Sequence, residues 1–284
     1  MTSVDHALIT RFNLPTPGVE RTIRMQSGWL EGRVRLFERY CAPSVRAQRD
    51  GAARWLIYFD PDSPPWLKDW IDQTADGLFH PVFREAVATE DLLEDLDALF
   101  PSKSEVLLTS NLDNDDGLGL DFVAALRNHD TPLERAAIYL ARGLIKSPSG
   151  LYLRNDPSNA FVSVRESWEQ PFTSWGDWHN RLHLTMPVEV ISGPPRWLQV
   201  VHQTNVSNRT RGRLVSPEPY RKDFVGLNDI APPHRRALAV DRLALAPLRT
   251  ARDSSRAAIR DATISLIGRD GFSRLKAALR PSPK

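Results

Sequence analysis

Apolar runs alternate with amphipathic stretches over roughly the first two hundred residues, the order typical of a layered α/β domain. Strand-like runs are predicted at 6–12, 54–60, 79–83 and 105–110. Segments whose apolar residues recur at helical spacing lie between and after these strands, at 29–48, 66–75, 91–100 and 120–128. Pro43 interrupts the first of these segments. Strands that are joined by helices predict a mostly parallel central sheet with right-handed crossovers, flanked by helices.

The periodicity changes beyond residue 135. We predict strands at 136–145 and 151–164 around the turn Ser147-Pro-Ser-Gly150, a helix at 175–184, and a final strand at 196–202. A long loop after residue 206 then leads to helices at 233–248 and 252–279. The pattern therefore predicts one α/β domain over 1–215 and a loop plus helical C-terminal extension over 216–284, packed on that domain or partly free.

Composition and charge narrow the classes of function. The net charge of +2 conceals an acidic body and a basic tail, since residues 234–284 carry twelve Lys or Arg against four Asp. A basic helical tail suits a solvated face, an anionic membrane surface or a partner contact. Nucleic acid is disfavoured because Phe272 is the only aromatic residue of the tail. A single cysteine, no signal-like N-terminus and no long apolar segment predict a cytoplasmic protein.

Three carboxylates, Asp113, Asp115 and Asp116, follow the apolar run at 105–110. Two ionised carboxylates about 5 Å apart repel by roughly 3 kcal/mol at an effective dielectric near 20. Such a cluster is easiest to tolerate beside solvent or a cation, and Mg²⁺ or Mn²⁺ prefers carboxylate oxygens. A calcium helix-loop-helix site fails on spacing, since Asp116 and Phe122 stand where Gly and Glu are needed. The alternative is a polar turn that caps the helix at 120–128.

Other polar residues also fall at predicted strand ends, where open α/β sheets bind ligands. Arg11 and Asp60 follow the first two strands and suit a diphosphate and a ribose or base edge. Arg84 follows the short third strand and is a weaker candidate of the same kind. His202 ends the strand at 196–202 and is a further candidate metal ligand. Each of these residues could equally serve an ordinary structural role.

A polar and aromatic cluster, Ser174-Trp-Gly-Asp-Trp-His-Asn180, is the remaining candidate. Its two tryptophans offer flat apolar surface for a sugar ring. Asp177 or His179 could remove a proton from an acceptor hydroxyl. The competing interpretation makes the tryptophans core residues and Asp177 a helix-start residue.

Several of these segments together resemble the putative rhamnosyl transferase family, a bacterial group with the glycosyltransferase A fold. The matching segments are Thr10-Arg-Phe-Asn13, Leu36-Phe-Glu-Arg-Tyr-Cys-Ala-Pro-Ser44 with Gln48, Trp55-Leu-Ile-Tyr-Phe-Asp60, Leu112-Asp-Asn-Asp-Asp-Gly-Leu118 and Trp197-Leu-Gln-Val-Val-His202. The resemblance covers roughly residues 8–208. It implies a Rossmann-like glycosyltransferase A fold, with residues 1–215 as the catalytic domain.

The resemblance also implies an activity: transfer of a sugar from a nucleotide-sugar donor to a hydroxyl acceptor on a glycan or lipid, in cell-surface glycan synthesis. Its metal aspartates correspond to Asp113 and Asp115, with Asp116 adjacent, and its downstream histidine to His202. Rhamnose is the sugar that the family name suggests. Two rivals stay open: a metal-dependent nucleotidyltransferase or phosphoesterase, which would use the same aspartates, and a catalytically silent sugar-binding relative.

Overall fold

The computed structural model describes residues 3–15, 27–49, 53–202, 210–252 and 255. The strands of these residues, in chain order, are β1 (Val4–Arg11), β2 (Arg54–Phe59), β3 (His80–Phe83), β4 (Val106–Asn111), β5 (Gly117–Leu118), β6 (Ala136–Leu140), β7 (Arg142–Ser147), β8 (Gly150–Asn155), β9 (Ser163–Glu166), β10 (Val188–Ile191), β11 (Trp197–Val200) and β12 (Arg213–Val215). The helices are α1 (Trp29–Leu36), α2 (Ala42–Arg46), α3 (Pro65–Ala75), α4 (Thr89–Leu99), α5 (Phe122–Arg127) and α6 (Arg235–Val240).

The larger sheet of the described chain has the strand order β10-β6-β9-β4-β1-β2-β3. Strands β4, β1, β2 and β3 are parallel neighbours, and β9 runs antiparallel between β4 and β6. β1 and β2 are buried along nearly their whole length, as expected for parallel strands that are covered on both faces. The predicted α/β fold with a mostly parallel sheet is therefore confirmed.

The first helical segment continues through Pro43 rather than stopping there. A π-helical turn, Phe37–Cys41, joins α1 to α2, and the N–H of Ala42 donates to the carbonyl of Phe37. Proline has no N–H to donate and its ring crowds the preceding turn, so a wider turn lets the helix continue. Tyr40 and Cys41 are buried as a result.

The smaller sheet, in the order β12-β8-β7-β11-β5, corrects several sequence predictions. The predicted strand at 136–145 is two strands, since β6 belongs to the larger sheet and β7 to the smaller one. The predicted strand at 151–164 likewise divides into β8 and β9. The hairpin at Ser147–Gly150 is confirmed by the antiparallel pairing of β7 with β8. Strands β5, β10 and β12, which have two to four residues each, were not predicted.

The predicted helix at 175–184 is wrong. Turns occupy this segment, and a 3₁₀-helix forms only at Leu182–Leu184. Thr173 adopts a positive φ of 64° just before it, and Gly176 lies within it, so the backbone bends instead of continuing helically.

The described part of the C-terminal extension packs on the α/β domain. Phe224, Leu227 and Ile230 are buried in a cluster with Tyr40 and Leu198. The predicted helix at 233–248 is present as α6, a π-helical turn at Asp241–Leu245, and helical residues up to 252. The helix predicted at 252–279 lies almost entirely outside the described residues, and the boundary at 215 stays a prediction. No helix in the described part of the chain is long and apolar enough to cross a membrane.

Candidate active site

The loop that carries the three aspartates is tied to the end of β1. Asn114 donates from its side-chain amide to the carbonyls of Arg11 and Phe12, at 3.0 and 2.7 Å. β1 and β4 are parallel neighbours, so their carboxyl ends meet at one edge of the sheet. The middle residue of the Asp-Asn-Asp motif is therefore an anchor, and it places the acidic loop beside Arg11.

Asp115 is buried and has two basic neighbours. One of its oxygens, Oδ2, lies 2.6 Å from Nη1 of Arg33 and 2.7 Å from Nε2 of His202. Burial alone would raise the pKa of Asp115, but the hydrogen bond from His202 and the charge of Arg33 outweigh it and hold that pKa below its ordinary value. The carboxylate is therefore ionised and links Arg33 of α1 to His202, two residues after β11.

Asp116 points into the protein. Its side chain has no exposed surface, and its Oδ1 accepts a 2.7 Å hydrogen bond from the N–H of Val200 in β11. Its other oxygen is buried with no hydrogen-bond partner among the described residues. Burial, with the charges of Asp115 and Asp113, raises the pKa of Asp116 well above its ordinary value. Asp116 therefore joins the acidic loop to the strand that presents His202.

Asp113, in contrast, is exposed to solvent. Although part of its surface reaches solvent, the protein atoms around its carboxyl group displace much of the water there. This desolvation, together with the negative charge of Asp115, raises the pKa of Asp113 to about 6. A hydrogen bond with Asn111 and the positive charges of Arg33 and Arg11 act in the opposite direction and lower the pKa of Asp113. Asp113 is thus the acidic residue of the loop that a ligand can reach from solvent.

The turn after the aspartates is held by two residues of the first helical segment. The N–H of Leu118 donates to Oγ of Ser44 at 3.0 Å. Gln48 donates to the carbonyl of Gly119 at 3.0 Å and accepts from the N–H of Val123. A Cβ at Gly119 would lie 3.1 Å from the backbone of Arg196, so the close approach of these segments favours glycine. The Pro-Ser and Gln positions of the resemblance therefore fix the acidic loop.

Arg11 and Asp60 lie at the same edge of the sheet. Asn13 accepts a hydrogen bond from the N–H of Asp60 at 3.1 Å and donates to Ser63 at 3.0 Å, which joins the ends of β1 and β2. The guanidinium carbon of Arg11 lies 4.4 Å from the ring centroid of Trp175. Trp175 thus supports an exposed arginine beside the acidic loop.

Arg84 has a different environment. Two hydrogen bonds of 2.9 and 2.7 Å join its guanidinium to Asp95, and further bonds reach Asp91 and Glu94 of the same helix, α4. β1 and β2 separate β3 from β4, which places Arg84 roughly 14 Å from the end of β4 at normal strand spacing. The structure does not bring Arg84 to the acidic loop, and its role in donor binding stays a prediction.

The segment 174–180 reaches the end of β4 through Trp175, whose Nε1 donates to Oδ1 of Asn111 at 2.8 Å. Asp177 accepts from the N–H of Trp178 at 2.7 Å and lies 3.5 Å from the guanidinium of Arg181. The backbone carbonyl of His179 accepts a hydrogen bond from the hydroxyl of Tyr139. Burial lowers the pKa of His179, so its imidazole is neutral at neutral pH.

A cavity of about 200 Å³ lies next to this segment. Strand β11 contributes Trp197 and Gln199 to its wall, and the loop after β8 contributes Asp156 and Asn159. The other lining residues are Ile145, Arg154, Ser158, Ala160, Phe161, His179 and Arg211. The wall also meets the end of β4, directly before the acidic loop, because Asn111 donates to the carbonyl of Ala160 at 2.9 Å.

The donor atoms near the acidic loop have the right chemistry for Mg²⁺ or Mn²⁺, since they are carboxylate oxygens and an imidazole nitrogen. Within the described ranges, however, no three His, Cys, Asp or Glu side chains converge closely enough to hold a metal ion. Arg33 and His202 already share one oxygen of Asp115, and Asp116 bonds a backbone N–H. The metal roles of Asp113, Asp115, Asp116 and His202 stay predictions.

Sequence reasoning missed Arg33 and three cavity residues, Arg154, Gln199 and Arg211. No local pattern marks Arg33, since Asp115 lies far from it in the sequence. Gln199 could have been found, because it is the polar residue of the otherwise apolar strand β11, and a polar side chain in a buried strand indicates contact with water or a ligand.

Known proteins resemble this chain in sequence or in fold. The family model described as "Putative rhamnosyl transferase" matches residues 5–214. No curated protein matches the chain. Solved structures with a similar fold include S. aureus TarS, at 9% identity and a TM-score of 0.41 over 69% of this chain and 37% of that one. A second is TarS 1–349 in complex with UDP-GlcNAc, at 10% identity and a TM-score of 0.39 over 77% of this chain and 64% of that one. A third is the inositol-1-phosphate CTP transferase from T. maritima, at 11% identity and a TM-score of 0.36 over 70% of this chain and 90% of that one.

The chain thus spans about a third of the length of the first TarS chain, and these structural likenesses are too low to carry an argument about activity. The family match is different, because it covers most of the chain and includes the acidic loop, the helix that holds it and the strand before His202. The chain belongs to the putative rhamnosyl transferase family, a group of glycosyltransferases.

Proposed function

We propose that this glycosyltransferase takes a nucleotide-sugar donor at the acidic loop and transfers the sugar to a hydroxyl of a glycan or lipid-linked acceptor. The observation that carries the proposal is the meeting of opposite charges at the edge of the parallel sheet. Asp113 and Asp115 lie there with Arg11 and Arg33, whose charges act on Asp113. Ligands of open α/β sheets bind beyond the carboxyl ends of the strands, where this group lies.

The two arginines are the proposed diphosphate ligands. A guanidinium donates through a planar fork that matches phosphate oxygens, and Arg11 is exposed at the sheet edge. Asp60, held by Asn13 at the end of the neighbouring strand, is the proposed partner of the ribose or base. This arrangement would orient the anomeric carbon of the sugar away from the sheet edge and toward the segment 174–180.

We also propose that Mg²⁺ or Mn²⁺ binds with the donor through Asp113 and Asp115. A divalent ion supplies positive charge that offsets the charge developing on the leaving nucleoside diphosphate. Arg33 forms an ion pair with Asp115 in the structure, and His202 is hydrogen-bonded to the same oxygen. Asp113 and Asp115 would hold the ion, and Arg33 would pair with the phosphates of the donor.

His179 is the proposed general base for a transfer that inverts the anomeric configuration, with Asp177 as the alternative. His179 lines the cavity, and its lowered pKa leaves a ring nitrogen able to accept a proton. Asp177 already interacts with Arg181 and with the N–H of Trp178. A transfer with retention would need no such base. Rhamnose as the sugar, a role in cell-surface glycans, a cytoplasmic location and membrane contact through the basic tail are further proposals, supported by the family name or the sequence.

Calorimetric titration with UDP, GDP and dTDP, each with and without Mn²⁺, tests the donor site. We expect one nucleotide to bind, and Asp113→Asn to weaken its Mn²⁺-dependent binding at least tenfold. Asp72→Asn is the matched control, since Asp72 is exposed on α3. Equal affinity of the Asp113 and Asp72 variants, at unchanged Mn²⁺ dependence, would refute the role of the acidic loop.

A further inference from the structure

The cavity beside the segment 174–180 has a basic wall. Arg154 and Arg211 both line it, and His179 and Gln199 add further polar groups. Asp156 is the only acidic residue among the lining residues that the structure describes. A small cavity with two guanidinium groups and one carboxylate carries a net positive charge, which favours an anionic occupant.

Arg154 is poorly satisfied by the protein itself. Its contacts with Asp156 are both 3.5 Å long, through Nε and Nη2 to the same oxygen. Charge-assisted hydrogen bonds are normally about 2.7–2.9 Å long. Its Nε is buried without a hydrogen-bond acceptor among the described residues. A buried charged donor without an acceptor is costly, and an anion in the cavity would supply one.

Arg84 is an arginine whose guanidinium nitrogens are all hydrogen-bonded within the protein, and it serves as a comparison for Arg154. Its guanidinium makes four hydrogen bonds of 2.7–3.2 Å to three carboxylates of α4. Among the residues that the structure describes, Arg154 reaches only the single oxygen of Asp156, at a longer distance. The contrast indicates that the position of Arg154 is not explained by an internal ion pair.

We propose that this cavity binds an anionic group of the acceptor, a carboxylate or a phosphate, with Arg154 and Arg211 as its donors. The inference rests on the proposed function, because it identifies the occupant as the acceptor. Two segments join the cavity wall to the flanks of the acidic loop. Asn111, the last residue of β4, donates to the carbonyl of Ala160 in the wall, and Gln199 of the wall precedes Val200, whose N–H donates to Asp116. An acceptor anchored here by its anion would present a neighbouring hydroxyl to His179 and to the donor.

The size of the cavity agrees with this assignment. Pockets for drug-sized ligands measure about 300–1,000 Å³. About 200 Å³ is room for a charged group or a small sugar residue, and not for a whole nucleotide sugar. The donor therefore belongs at the acidic loop and the acceptor anion in the cavity.

Calorimetric titration at low ionic strength tests the anion site, with inorganic phosphate and acetate as separate probes. We expect the wild type to bind one of them, and the preferred probe names the anion as phosphate or carboxylate. Arg154→Gln should weaken that binding at least tenfold, and Arg154→Lys should restore part of it. The matched control is Arg142→Gln, because Arg142 is an exposed arginine on the adjacent strand β7 that does not line the cavity.

Three results would overturn the proposal. The first is that neither probe binds the wild type. The second is that Arg154→Gln and Arg142→Gln bind the preferred probe equally well. The third is that Arg33→Gln, and not Arg154→Gln, abolishes the binding, which would place the anion at the acidic loop. Circular dichroism spectra of all variants identify any that fail to fold, and Arg211→Gln then replaces a misfolded Arg154 variant.

Titration of the same variants with UDP, GDP and dTDP separates this inference from the proposed function. Arg154→Gln should keep the wild-type nucleotide affinity while it loses the small anion. If Arg154→Gln loses the small anion, and neither it nor the wild type binds a nucleotide, the anion site is supported and the proposed donor site is refuted. Normal nucleotide binding with anion binding that does not depend on Arg154 would refute the cavity assignment alone.

Discussion

His6 is expected to make the stability of the fold depend on pH. It lies in β1 with 1% of its surface exposed, and its Nε2 is 2.8 Å from Oγ of Ser110, which in turn lies 2.6 Å from Oγ of Ser163. Its other ring nitrogen has no partner among the described residues, as suits a neutral ring with the hydrogen on Nε2. Burial, with a smaller effect of Arg127, lowers the pKa of His6 to about 3.

The sign and the size of this pH dependence follow from the number of protons that the folded protein and the unfolded chain bind. Between the ordinary His pKa of about 6.5 and the folded value of about 3, the unfolded chain binds one more proton than the folded protein. The contribution of neutral His6 to the free energy of unfolding is therefore fully present above about pH 6.5. It is lost as the pH falls, by about 1.4 kcal/mol per pH unit. From about pH 7.5 to about pH 5.0 the expected loss is about 2 kcal/mol in the free energy of unfolding.

Urea denaturation of the wild type and His6→Gln at both pH values measures this loss. Other groups titrate in the same range, but they are common to both proteins and cancel in the difference. We expect the free energy of unfolding to fall by about 2 kcal/mol more in the wild type than in the variant. His183→Gln is the matched control, because His183 is exposed. A pH-independent difference between wild type and His6→Gln would show that His6 is not held neutral by the fold.

Two further predictions concern the packing that shapes the site. Gly143→Ala should destabilise the fold by about 3 kcal/mol or more, because the new Cβ would lie 1.9 Å from the buried ring of Trp197. Thermal or urea unfolding measures this loss. Gly32→Ala is the control, since Gly32 is in an open helical position and its substitution should not destabilise the fold. Gln48→Leu should cost about 1–3 kcal/mol and expose the acidic loop to limited proteolysis, because it leaves the N–H of Val123 unpaired and removes one of the hydrogen bonds to the carbonyl of Gly119. Gln73→Leu on the exposed side of α3 should change neither measurement.

Sequence periodicity predicted the parallel part of the sheet well and the mixed part poorly. The long apolar runs of β1, β2 and β4 are separated by helices, which leaves few ways to arrange them. The apolar run 136–145 looks the same whether it forms one strand or two. Only its partners, β9 and β10 on one side of Ala141 and β8 and β11 on the other, divide it between the sheets.

The candidate site shows the same limit. Residues at strand ends, such as Arg11 and Asp113, could be found from sequence because the end of a strand is a local feature. The pairing of Arg33 with Asp115 could not, since it joins a helix to a loop 82 positions away. The sequence also left Arg84 a candidate, and only the structure showed that α4 surrounds it with carboxylates.

The order of apolar and polar residues by itself determined the layered α/β class and the position of the acidic loop after a buried strand, and specific short motifs of the sequence carried the resemblance to the family. These features depend on neighbours within a few positions along the chain. The tertiary structure alone decided which charges meet, which aspartate is exposed, and that Arg154 and Arg211 share a cavity with His179. Such features depend on contacts between distant segments, and their energies arise only when burial removes water from around the charged groups.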